Sequence, residues 1–180
     1  MRRISRKRLA LAMVAAAVAG VGVQAVAALA SSGGEQGLAA ARAETARYHE
    51  LSVAEAAGYG EFRDASGIAC IDNPPLGAMG IHYVNGSYVG DTTLEPAKPE
   101  ALVYEPQQNG RLKLVALEYI VFQVPWDASH SSRPSLFGHE FGLVSAPNRF
   151  GIPAFYELHA WVWKPNPSGM FFEWNPRASC

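Results

Sequence analysis

The chain has 180 residues, 49% hydrophobic and 17% charged, with a formal net charge of −1. Its basic residues are bunched at the start: without Arg2, Arg3, Arg6, Lys7 and Arg8, 10 Lys and Arg face 16 Asp and Glu, a net charge of −6. An acidic chain of this size fits one domain with a real core and argues against nucleic acid or an anionic membrane surface as partner.

The first 30 residues read as a signal peptide. The basic run is followed by an uncharged Ala/Val/Gly stretch from Leu9 to Leu29. Small residues at Ala25-Val26-Ala27 and Ala28-Leu29-Ala30 offer cleavage after Ala30 or Ala27. The rival reading is an uncleaved membrane anchor, because the stretch is just long enough to span. Arg2-Arg3 matches part of a twin-arginine signal, but Ile4-Ser5-Arg6-Lys7 fits that consensus poorly, so the export route stays open. Residues 31–34 read as a linker and 35–180 as one α+β domain, secreted or extracytoplasmic and without membrane contact once the signal is cleaved.

The Ala-rich segment from Glu35 to Ala57 predicts a surface helix, with Gly58 as its C-cap. Beyond Gly60, short apolar runs alternate with Pro, Gly and Asn clusters, a β pattern. Asn73 to Gly77 predicts a turn, Ile81 to Val84 a strand, and Asn85-Gly86 a tight turn into Tyr88-Val89. Ala101 to Glu105 and Leu112 to Phe122 predict a hairpin around Asn109-Gly110, where the backbone needs positive φ. Phe150 to Trp163 predicts another strand and Phe171 to Trp174 a short last one. Together these predict a helix packed on a curved antiparallel sheet or small β-barrel. Val115 to Phe122 is apolar on both faces and must be covered on both.

Cys70 and Cys180 are the only cysteines. An exported chain with an even count pairs them, and closing so long a loop stabilises by roughly 4–5 kcal/mol in a loop-entropy account. The alternative is Cys70 as nucleophile or ligand.

The chemistry-bearing positions are Glu118, His159 and His82. Each sits in an apolar strand segment, where a polar group needs a partner or a shifted pKa. Alternation puts Leu112, Leu114, Ala116, Glu118, Ile120 and Phe122 on one face, Phe155, Glu157, His159, Trp161 and Trp163 on another, and Gly80, His82 and Val84 on a third. If these faces converge, two imidazoles and a carboxylate form a site for zinc, copper or iron, with a position left for water or substrate. Tyr104, Glu157 and Trp161 are the expected pocket neighbours. No HExxH or CxxC spacing dictates a metal, and neither a GxSxG elbow nor a phosphate loop is present.

Three readings follow. The first is a metal-binding protein, extending to a small metalloenzyme. The second is a non-catalytic module that holds a small apolar ligand. The third is a structural envelope-interaction protein. Oligomeric state is not legible. The phrases Gly77-Ala78-Met79-Gly80-Ile81-His82-Tyr83-Val84-Asn85, Leu102-Val103-Tyr104-Glu105-Pro106, Leu117-Glu118-Tyr119 and Asn166-Pro167-Ser168-Gly169-Met170-Phe171 resemble those of a family of exported bacterial proteins. The resemblance runs from about Ala39 to Cys180. It implies export and carries no catalytic residue over, because no activity is established for that family.

Overall fold

The computed structural model describes residues 33–180, so the signal segment 1–30 and residues 31–32 lie outside the described residues. Helix α1 spans 33–45, so Gly33 and Gly34 are helical rather than linker. A 3₁₀ turn follows at Ala46–His49, then α2 at Leu51–Ala56. The predicted single helix is thus broken at Glu50, which is extended. The break lies beside a competing hydrogen bond: the Tyr48 carbonyl accepts from the buried Tyr104 hydroxyl at 2.7 Å.

The strands are β1 (Gly60–Glu61), β2 (Cys70–Asn73), β3 (Gly77–Val84), β4 (Ala101–Pro106), β5 (Leu112–Phe122), β6 (Ser135–Leu136), β7 (His139–Glu140), β8 (Gly142–Val144) and β9 (Phe155–Ala160). Seven form an antiparallel sheet in the order β1-β3-β4-β5-β9-β8, with β2 also pairing β3. β6 and β7 form a separate pair. The main sheet is open, which corrects the barrel alternative: β8 and the β1/β2 pair are its edges. The β4–β5 hairpin and the turn before Gly77 lie where the sequence predicts them.

Several predicted strands fall elsewhere. Asn85-Gly86 opens a short helix α3 (Gly86–Val89), not a hairpin, because the Asn85 side chain accepts from the Ser87 amide and caps it. A second short helix, α4, spans Gln123–Asp127. β9 stops at Ala160, where the Trp161 amide leaves the ladder and donates to the Met170 carbonyl. Phe171 to Trp174 is not a strand: the Asn166 side-chain amide donates to the carbonyls of Phe172 and Trp174, taking the place of a neighbouring strand.

Both faces of the sheet are covered. On one, Leu102, Tyr104, Leu117, Tyr119 and Leu158 share a buried cluster with Ala41, Tyr48 and Ala54. On the other are two smaller clusters. One holds Ala78, Val103, Val115, Ala116, Trp161 and Ala178, the other Ala101, Ile120 and Phe155 with Phe150 and Ile152 against them. A bulge divides β5: Val103 pairs Ala116 while Tyr104 pairs Leu114, leaving Val115 as the extra residue. The bulge reverses the alternation. Leu114 joins the helix-side cluster while Ala116, Glu118 and Ile120 face the other way, so the predicted six-residue face is split. Gly80 answers a similar constraint on β3. Its φ is +114°, and a Cβ there would lie 2.6 Å from the Tyr104 carbonyl oxygen.

The Cys70–Cys180 disulfide forms as expected, with Cα atoms 5.6 Å apart. It returns the chain end to the sheet beside Glu105, whose carboxylate accepts from Lys164 at 2.6 Å and from the Ser179 amide at 3.1 Å. The bridge points to an oxidising, extracytoplasmic environment. Among the described residues no helix is long and apolar enough to cross a membrane.

Glu100 is the buried carboxyl that the sequence did not single out. It is 1% exposed, and its Oε2 accepts from the Ile120 amide at 3.0 Å, a donor that β4 leaves unpaired by starting at Ala101. Burial raises its pKa from 4.5 to about 8. The native state therefore holds this proton where the unfolded chain has lost it. The associated stability is full below about pH 4.5 and drains away until the pH passes about 8. Glu100→Gln keeps an acceptor for Ile120 and removes the proton. Urea unfolding at a series of pH values should give the variant a flatter decline between pH 5 and 8 than the parent, and parallel curves would contradict it.

Candidate metal centre

His82, Glu118 and His159 stand on three strands and point to the same side of the sheet. Glu118 and His159 are directly opposed across the β5–β9 ladder. On its other side Glu118 faces Ala101 of β4, and His82 sits one strand further on, opposite Val103. Backbones two strands apart are separated by roughly 10 Å. The missing bulk at Ala101 lets the His82 ring reach across β4, bringing Nε2 to 3.2 Å from Glu118 Oε2. One donor atom from each of the three residues lies within 4.8 Å of the others.

All three are buried, at 5% exposure for His82, 6% for Glu118 and 1% for His159. The decisive feature is His159: neither Nδ1 nor Nε2 has a hydrogen-bond partner. One face of the ring stacks on Trp161, centroids 5.0 Å apart, and it meets His82 edge-on at 5.9 Å. A buried imidazole normally satisfies at least one nitrogen, and leaving one orphaned costs roughly 1–3 kcal/mol.

The electrostatics favour neutral groups. Burial pushes His82 down to about 4, helped by repulsion from Arg149, and holds His159 well below its usual range, helped by His82. Burial raises Glu118 to about 8, with the Glu173 charge adding to it and a hydrogen bond from Glu157 opposing it. The 3.2 Å His82–Glu118 contact has the spacing of an ion pair. Burial works against the charged form of both partners. Glu157 is buried and raised well above the carboxylate range, first by burial and then by the charges of Glu118 and Glu173. Among the described residues no N–H or hydroxyl reaches its Oε2.

The remaining expected residues divide. Glu157 lies beside Glu118, and Trp161 forms the wall behind His159. Tyr104 is on the opposite face, satisfied by the Tyr48 carbonyl, because along β4 it alternates with Ala101 and Val103, which take the site side. Trp163 also leaves the site face once β9 ends, and packs with the helix-side cluster. The disulfide lies at the chain end, so Cys70 is neither nucleophile nor ligand. Two site neighbours were not foreseen. Glu173, flanked by aromatic residues in Phe171-Phe172-Glu173-Trp174, carried the same signal as Glu157 and was readable on that ground. Arg149, in the loop before β9, had no local signal. It is held by Asp64 at 2.9 Å and lines a cavity shared with Glu118, Glu157 and Glu173.

Imidazole nitrogens and one carboxylate oxygen suit a transition-metal dication. Ligands around zinc sit about 3.3 Å apart, so binding draws the donors in by roughly 1.5 Å, within the reach of side-chain rotation. Comparison with known protein families, curated proteins and solved structures gives no match for this chain.

An unpartnered imidazole is a stability defect in the ion-free protein. His159→Leu should raise the metal-free unfolding free energy by roughly 1–2 kcal/mol, measured by urea denaturation in chelator. A destabilised variant would show that His159 is satisfied in solution without an ion.

Proposed function

We propose that this is an exported metal-binding protein whose ion is held by His82, Glu118 and His159. The observation that carries this reading is the His159 ring, buried with two unused nitrogens beside a second imidazole and a carboxyl group. Neutral imidazoles are the form that binds metal, and burial already enforces that form. The ion supplies the positive charge that lets Glu118 give up its proton. The carboxyls of Glu157 and Glu173 behind it offset the remaining charge.

The donors select among metals. Two nitrogens exclude a calcium or magnesium preference, because those ions take oxygen ligands. Zinc, iron and copper all fit, and two histidines with one carboxylate is the donor set of open-sided iron and zinc centres. Three protein ligands leave a coordination position for water or a small molecule, so the site has the form of a reactive rather than a closed structural centre. In this reading the 33–45 helix is the cover of the opposite sheet face, and export through the N-terminal segment delivers the chain to the compartment where its disulfide forms.

Metal analysis of protein purified without chelator, then stripped and reconstituted, tests the reading. About one transition-metal ion per chain is expected. His82→Ala, Glu118→Gln and His159→Ala should each weaken binding in a chelator competition by more than the roughly 10–100-fold typical of outer partners. Substoichiometric metal, unchanged in His82→Ala and His159→Ala, would reject it.

A further inference from the structure

Next to the His82–Glu118 pair lies a cavity of about 290 Å³. Its walls are Phe62, Val89, Phe122, Phe150, Ile152 and Phe155, contributed by β5, β9 and α3 and by the segments before β2 and before β9. Among the described residues, His82 and Glu118 are the only ionisable side chains that line it. Gly86 and Gly90, at the two ends of α3, are exposed and also line it, so the cavity opens to solvent beside that helix.

We infer that this cavity is a binding site for a small uncharged molecule with an aromatic or branched aliphatic body and one hydroxyl group, the hydroxyl seated against Glu118 and His82. The size fits: an apolar cavity of about 150 Å³ takes a benzene ring, so this one has room for a ring with a substituent. The chemistry of the walls excludes charged ligands. A cation or anion would lose its water among four phenylalanines with no counter-charge on the walls except the carboxyl that already faces His82. A hydroxyl both donates and accepts, matching a floor made of one carboxyl group and one imidazole. A purely apolar ligand would bury that floor without replacing its solvent contacts, so the site discriminates between an alcohol or phenol and its deoxy counterpart. The inference stands apart from the metal reading, because the walls and the polar floor are present without an ion.

Calorimetric titration of the purified protein with 4-methylphenol and with toluene, both in the presence of a chelator, tests it. One saturable site for 4-methylphenol is expected, at least about tenfold tighter than for toluene. Ile152→Trp fills the cavity and should weaken 4-methylphenol by at least about tenfold. Val89→Trp provides a second filling variant, because Val89 is part of the cavity wall. Absence of saturable 4-methylphenol binding, equal affinity for toluene, or an affinity unchanged in the folded filling variants would overturn the inference. Since the titration is made without metal, its result is independent of whether reconstitution restores an ion.

Discussion

The desolvation of Glu118 and of the two imidazoles beside it governs this structure. A sheet with apolar cover on both faces gives its central strands little access to water, and β4 and β5 are the two most central of them. A carboxyl and two histidines placed there cannot be explained by packing, since a hydrophobic side chain of similar size would fill the space at lower cost. The shifts that disfavour their charged forms, their mutual proximity and the orphaned nitrogens of His159 all follow from that one placement.

The rest of the chain is arranged to shield the site and keep it in register. Antiparallel pairing fixes Glu118 opposite His159, and a one-residue slip would send one of them to the helix side. The bulge at Val115 resets which β5 side chains face the site, placing Leu114 behind the sheet and Ala116 in front. Ala101 removes the obstacle between His82 and Glu118. The last twenty or so residues pack Trp161 and Ala178 over the same face. The Glu105–Lys164 pair and the bridge from Cys180 to Cys70 tie that segment down.

Much of the site was legible because polarity in an apolar run is a strong local signal. Glu118, His159 and His82 stand out in their segments without any knowledge of pairing, and so does Glu157. The hairpin at Asn109-Gly110 and the disulfide were readable for similar reasons, from turn chemistry and from cysteine parity. What the sequence hid depends on long-range geometry. Tyr104 is out of step with the site: Ala101 and Val103 of β4 face it, so Tyr104 faces the helices, and only the pairing of β4 with β5 reveals which set is which. Glu100 looks like an ordinary loop carboxylate until the Ile120 amide is found in front of it. Asn85-Gly86 carries a hairpin signature, yet the Asn side chain caps a helical turn instead. The open sheet could not be told from a closed one, because the apolar patterns of a covered face and a barrel interior are the same.

The most direct measurement is anomalous diffraction at the zinc edge from crystals of the stripped protein soaked in zinc. A single strong peak about 2.0–2.2 Å from a ring nitrogen of His82, a ring nitrogen of His159 and a carboxylate oxygen of Glu118 is the predicted result. Zinc confined to surface carboxylates, with these three side chains in their ion-free positions, would contradict it.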